Sequence, residues 1–172
     1  HTGDVKDIND IPEGGVTVNI TADGMLVKSI GAGVFGGPAN PIETELNRIQ
    51  IKAFDDVNIV NYGDLTIGGV TLNHDGYAAT VVDPASIPVE AYGIWQTDGD
   101  ISIDVGANRL RIEGTILQAR DAVDFATADT NPVFYGGNVT LIGADVVVGA
   151  PIKTKKDAAT GLGGEITLIP TF

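Results

Sequence analysis

The sequence predicts an all-β fold built as a single-domain parallel β-solenoid, and three observations lead to this prediction. The 172 residues include 23 Gly and only one Met, and Val, Ile and Thr supply much of the apolar and polar patterning. Residues branched at Cβ fit a pleated strand, and frequent Gly marks turns between short strands. Apolar and polar residues alternate over segments of three to five residues, which is typical of half-buried strands.

The third observation is a recurring block of sequence. Gly, then Asn or Asp, then an alternating Val/Ile, Thr/Ser, Leu/Ile triplet occurs at 99–103 and 137–141, and 164–168 repeats it with Glu in the second place. The first two blocks lead into a turn and a second apolar strand, which predicts a coil of about 20–30 residues carrying insertions. A β-sandwich also shows short strands at such spacing and is the alternative fold. No Asn-Gly or Asp-Gly hairpin joins the clearer strands, which favours the solenoid.

The chain is predicted to divide into an arm and a solenoid. Residues 1–15 form a polar N-terminal arm, a candidate assembly segment, and residues 16–172 form the solenoid. Strands are expected at 16–20 and 25–30, separated by a turn at 22–24. The insertions are expected at about 31–46, 74–98 and 120–135.

Charge and composition exclude several classes of function. The formal net charge is −13, and such a surface repels nucleic acid and anionic lipid. No apolar run approaches the roughly 18 residues of a spanning helix, so no membrane insertion is expected. The chain has no Cys, which excludes thiol catalysis and Cys-ligated metal sites.

The start of the sequence and its composition predict export. The chain begins at His1 rather than Met, has few Lys and is rich in Gly, Thr and Val. We therefore expect a secreted protein, extracellular or on the cell surface, whose leader has been removed.

Residues that could carry catalysis are scarce. The histidines are His1 and His74, and they offer neither a Ser-His-Asp set nor a zinc site. A glycosidase needs two carboxyl groups roughly 5–10 Å apart, and stacked coils could bring Asp56 near Asp104. Acidic residues at solenoid turns are ordinarily solvated, so the sequence predicts no enzyme and leaves a polysaccharide-active enzyme as a minor alternative.

Two kinds of ligand or modification site have weak sequence signals. Asp98 and Asp100 place two carboxylates on one turn and are candidates for calcium, but the twelve-residue EF-hand loop is missing. No other cofactor is expected. Asn19 and Asn138 each begin an Asn-x-Thr triplet and are candidates for N-glycosylation.

Aromatic residues suggest a second type of function. Tyr77, Tyr92 and Trp95 fall in the predicted insertion 74–98, where exposed rings could stack on surface glycans. They could equally pack the insertion against the solenoid. An adhesin or carbohydrate-binding module is therefore the principal alternative function.

Parts of the chain resemble a known group of exported proteins. Residues 99–114 and 136–152 look like coils of filamentous-haemagglutinin-type exoproteins, and 163–168 resembles the start of a further coil. Residues 16–72 resemble such coils more loosely. The resemblance implies a right-handed parallel β-helix secreted as a fibre or an adhesin. The chain departs from that family in being short and in showing no secretion-domain signature.

The final strand suggests assembly. It runs to the end of the sequence without a charged cap, and uncapped strand edges recruit other chains. We therefore expect a structural subunit of an extracellular filament or surface assembly that binds copies of itself head-to-tail. The predicted interface residues are Val16, Val18, Ile20, Ile166, Leu168 and Phe172.

Overall fold

The structure is a computed structural model, and it describes residues 17–28, 34–70, 92–96, 99–118, 137–154 and 164–171. These residues form strands and turns, and the named strands pair in parallel throughout. The strands are β1 (Ile20–Lys28), β2 (Ile42–Ala53), β3 (Val57–Asn61), β4 (Leu65–Ile67), β5 (Tyr92–Gln96), β6 (Ile101–Asp104), β7 (Arg109–Ile112), β8 (Thr115–Gln118), β9 (Val139–Gly143), β10 (Asp145–Val148), β11 (Ile152–Lys153) and β12 (Ile166–Pro170).

The strands wind into coils with three faces. β3, β6, β9 and β12 stack on the first face, β4, β7 and β10 on the second, and β5, β8 and β11 on the third. The long strand β2 passes along all three, because it pairs in turn with β3, β4 and β5. This parallel stacking confirms the predicted solenoid, and the β-sandwich alternative is wrong because a sandwich is built from antiparallel strands.

Columns of aliphatic side chains form the core. Residues in register on successive strands point to the same side, so inward positions lie above one another. On the second face Ile49 stacks on Ile67, which stacks on Ile112, and all three are fully buried. The third face repeats this pattern, with Ile51 stacked on Ile94 and Ile94 on Ile116. Each coil therefore covers the apolar interior of its neighbour, as in other repeat architectures.

Buried amides occupy the corners between faces. Gln118 Nε2 donates to Gln96 Oε1 at 2.7 Å, and Gln96 Nε2 donates to the carbonyl oxygens of Asp55 and Asp100. Both glutamine side chains are buried. A turn leaves backbone carbonyls outside the ladder of strand hydrogen bonds, and these amides provide their partners.

The structure revises several predicted boundaries. The turn expected at 22–24 lies within β1, because β1 pairs with β2 along its whole length. β2 begins at Ile42, inside the insertion predicted at 31–46, and β5 lies inside the one predicted at 74–98. Pairing with a neighbouring coil outweighs the local turn signal in these segments. The insertion predicted at 120–135 and the arm at 1–15 lie outside the described residues.

Candidate functional site

The inward side chains of the first face become exposed in the last coil that the structure describes. Val57, Ile101 and Val139 are successive members of one column, and all are buried. Ile166 on β12 is the next member, and it is 41% exposed. The apolar interior is therefore open to solvent at this end of the stack.

Two further columns show the same change. Leu168 is in register with Leu141, yet Leu168 is 44% exposed while Leu141 is buried. On the second face Val148 is in register with the buried Ile112 and is 48% exposed. Only another layer of apolar side chains would bury these positions as the inner coils are buried. We call the exposed inward positions Val148, Ile166 and Leu168 the open end.

Unpaired strand edges surround the open end. Among the strands that the structure describes, β12 pairs with β9 and β10 with β7, each on one side only. A parallel strand with one neighbour presents backbone donors and acceptors along its other edge. The open end thus combines apolar side chains with hydrogen-bonding groups that a further coil would satisfy.

A ladder of hydrogen bonds along one corner leads to the open end. Asp56 Oδ1 accepts from the backbone N–H of Asp100 at 2.7 Å, and Asp100 Oδ1 accepts from that of Asn138 at 2.7 Å. Asn138 Oδ1 then accepts from the N–H of Glu165 at 3.0 Å. In each step a side chain receives the N–H of the equivalent residue in the next coil. The ladder (Asp56, Asp100, Asn138) gives the stack a direction, with acceptors pointing toward its C-terminal end.

The opposite end of the described stack is formed by β1. This strand pairs with β2, and Ile20, Met25 and Val27 on it are partly buried against the core. The two ends therefore differ in sequence but share one strand direction. Head-to-tail association requires that the two ends present different surfaces, one of which binds the other.

The predicted assembly residues fall into three groups. Ile166 and Leu168 lie at the open end, and Ile20 begins β1 at the other end. Val18 precedes β1 and is half-buried. Val16 and Phe172 lie outside the described residues. Val148 was not predicted, because no local pattern shows that β10 is covered on one side only by β7.

The predicted carboxylate pair is not brought together. Asp56 precedes Val57 on β3, whereas Asp104 is in register with Val60, four positions further along the same face. At about 3.3 Å per residue the separation along the strand is about 13 Å, beyond the range of a glycosidase pair. Asp56 Oδ1 accepts from the N–H of Asp100 as a member of the ladder, and Asp104 Oδ1 accepts from the N–H of Gly106 at 2.7 Å. Both carboxylates thus have local structural roles. His74 lies outside the described residues.

Within the described ranges no three His, Cys, Asp or Glu side chains are grouped so that they could hold a metal ion. Asp98, one of the two calcium candidates, lies outside those ranges, and Asp100 is a member of the ladder. The two glycosylation candidates have related roles, because the amide oxygens of Asn19 and Asn138 each accept a backbone N–H from the following coil. Calcium binding and glycosylation stay predictions.

One of the aromatic candidates, Trp95, lies on a buried strand rather than in an exposed insertion. Trp95 is on β5 and is only 5% exposed, with Lys52 Nζ 4.6 Å from the centre of its ring. This leaves little ring surface for stacking on a sugar. Tyr92 begins β5, and its side chain and Tyr77 lie outside the described residues.

Arginines on the second face surround one carboxylate. Arg48 donates to Glu113 Oε2 at 3.0 Å, and Arg111 Nε donates to Glu113 Oε1 at 2.8 Å. The hydrogen bond from Arg48 and the positive charge of both arginines hold the pKa of Glu113 below its ordinary value of 4.5, against a smaller opposing effect of burial. The three side chains join β2 to β7 across β4, so they link three coils.

We expect the substitution Glu113→Gln to weaken the acid sensitivity of the fold. A carboxyl whose pKa is lower in the folded protein stabilises it above the unfolded value of 4.5, and this contribution is lost as pH falls through the folded value. Urea unfolding from neutral pH to below about pH 4 should therefore show a difference between wild type and variant that shrinks with acidity. The control is Glu45→Gln, because Glu45 is an exposed glutamate on β2. A difference that is constant with pH would contradict the expectation.

Comparison with known proteins gives no relative for this chain. No family model, no curated protein and no solved structure matches it. In the part of the chain that the structure describes, no helix is long and apolar enough to cross a membrane. The parallel β-solenoid therefore stands on the strand pairing alone.

Proposed function

We propose that this protein is a structural subunit that assembles head-to-tail through the ends of its solenoid. The observation that carries the proposal is the rise in exposure of inward side chains in the last coil, from fully buried at Leu141 to 44% at Leu168. Apolar burial is worth about 25 cal/mol per Å², so covering these positions favours association. The partner is a second copy of the chain.

Strand direction supports a head-to-tail arrangement over a symmetric one. Each inner coil already receives a parallel coil on the side that faces the open end. The β1 end of another copy could continue this parallel pairing, whereas joining two open ends by a two-fold axis would reverse the strands. A heterologous contact that does not close into a ring produces a filament.

We place the assembly outside the cell, in keeping with the composition and with the resemblance of residues 99–168 to exported haemagglutinin-type coils. In this proposal the relationship to those proteins lies in the use of stacked coils to gain length. Association of copies would extend the stack of coils beyond one chain.

Sedimentation velocity over a concentration series, with negative-stain electron microscopy at neutral pH, tests the proposal. The unmodified protein should form particles that lengthen with concentration. Leu168→Asp places a charge beneath the next copy and should weaken association at least tenfold, a cost of about 1.4 kcal/mol or more. Because Leu168 is already exposed, the variant should fold normally by circular dichroism.

The matched control is Ile169→Asp. Ile169 is the next residue on the same strand and is 40% exposed, but it points away from the inward column. This variant should associate like the unmodified protein. A monodisperse monomer at high concentration would refute the proposal, and so would equal association of the Leu168 variant and the unmodified protein.

A further inference from the structure

A groove crosses the corner where the first face meets the second, in the first coils of the described stack. Its volume is about 360 Å³, within the range of small-molecule sites. Three successive segments supply its lining: residues 21–23 of β1, residues 45–47 of β2, and residues 62–63 after β3. Coils stack about 4.8 Å apart, so the groove extends about 10 Å along the solenoid axis.

A buried amide holds the floor of the groove in place. Asn61 is buried; its Oδ1 accepts from the N–H of Leu46, and its Nδ2 donates to the carbonyl oxygens of Leu46 and Gly63. Leu46 is itself buried and forms the floor. The floor of the groove is therefore held in place before any ligand arrives, which lowers the entropic cost of binding.

Backbone geometry keeps one side of the groove open. Gly63 has a φ of 133°, a conformation that side-chain-bearing residues rarely adopt, and no atom lies within 4 Å of the position its Cβ would occupy. The neighbouring Tyr62 is 40% exposed and lines the groove. The missing side chain at Gly63 thus leaves space beside an aromatic ring.

Polar side chains line the groove together with Tyr62. Asn47 Nδ2 donates to Asp23 Oδ1 at 2.9 Å, which holds an amide and a carboxylate side by side. Glu45 supplies a second carboxylate, and the lining contains no Lys, Arg or His. Carboxylates accept strong hydrogen bonds from hydroxyl groups, and they repel anionic ligands. A tyrosine ring beside them offers a flat apolar surface.

We propose that this groove binds an uncharged sugar unit of a saccharide. In this arrangement the apolar C–H face of the sugar packs against Tyr62, and its hydroxyl groups donate to the carboxylates of Asp23 and Glu45. The absence of cationic side chains from the lining disfavours uronic and sialic acids. The groove lies at the end of the described stack opposite the open end, and residues 21–23 of its lining belong to β1.

Isothermal titration of the full chain with neutral oligosaccharides of glucose, mannose and galactose tests this site. We expect saturable binding to at least one of the three series. Tyr62→Ala should weaken it about tenfold, the effect of losing one aromatic contact. Asp23→Asn should weaken it as well, because a charged acceptor becomes neutral. Circular dichroism and thermal unfolding of each variant check that the fold is retained.

The chain provides a matched control for the ring. Phe54 is also 40% exposed but is not part of the groove, so Phe54→Ala should leave binding unchanged. Equal losses in the Tyr62 and Phe54 variants would overturn the assignment. It would also be overturned if no neutral series binds at millimolar concentrations, or if only spermidine or oligogalacturonate binds in parallel titrations.

Discussion

Replacing Leu141 with alanine is expected to lower the free energy of unfolding by about 2–5 kcal/mol, the usual range for emptying a buried leucine site. The same substitution at Leu168 should cost no more than about 1 kcal/mol in dilute protein. The two residues occupy the same column in adjacent coils, so their backbone settings and neighbours correspond. They differ chiefly in solvent exposure, because Leu141 is buried and Leu168 is 44% exposed.

Urea unfolding followed by circular dichroism measures both values. Comparable losses for Leu141→Ala and Leu168→Ala in dilute protein would show that the last coil is covered within a single copy, which contradicts an open end. If copies associate, the cost at Leu168 should grow with protein concentration, because association stabilises the folded chain by mass action. The cost at Leu141 should then stay nearly constant.

The second large effect is expected at Asn61, a buried asparagine between coils. Its amide makes four hydrogen bonds: Thr44 Oγ1 and the N–H of Leu46 donate to Oδ1, and Nδ2 donates to the carbonyls of Leu46 and Gly63. Asn61→Ala would remove all four bonds, and it would leave the N–H and the carbonyl of the buried Leu46 without their side-chain partner. Each such group costs about 1–3 kcal/mol, and with partial relaxation we expect a total loss of about 2–4 kcal/mol.

Asn47→Ala is the control for the loss at Asn61. Asn47 lies at the same corner, is exposed, and donates to the exposed Asp23. Its removal should change the free energy of unfolding by about 0.5 kcal/mol or less. A loss at Asn61 no greater than at Asn47 would mean that water or a rearranged backbone replaces the amide, and the groove floor would then not be held by this residue.

Much of the fold could be predicted from local sequence. Alternation at Val139, Thr140 and Leu141 marks a strand with one buried face, and β9 has this burial pattern. The recurring Asp or Asn before such strands also contained the signal for the ladder at Asp100 and Asn138. Asp100 was expected in a turn and Asn138 was a glycosylation candidate, whereas the side-chain oxygen of each accepts an N–H from the next coil.

The candidate sites were less predictable. Tyr62, Asp23 and Glu45 lie far enough apart in sequence that no local pattern connects them, and the groove exists only because three coils stack there. The side chain of Trp95 was expected in an insertion, but its strand pairs with β2 and β8 and the ring is buried. Propensity could not reveal this, since pairing partners decide whether a short apolar segment becomes a strand.

The sequence by itself determined the strand type, the inward and outward alternation, and the recurring block whose third occurrence, 164–168, contains Ile166 and Leu168. Tertiary structure decided which residues are equivalent between coils, for example that Asp100 lies above Asp56, 44 positions away. The physical reason is that closing a longer loop costs only slightly more free energy than closing a shorter one. Insertions of very different length can therefore separate successive coils, and only the pairing of parallel strands sets the register on which the open end and the groove depend.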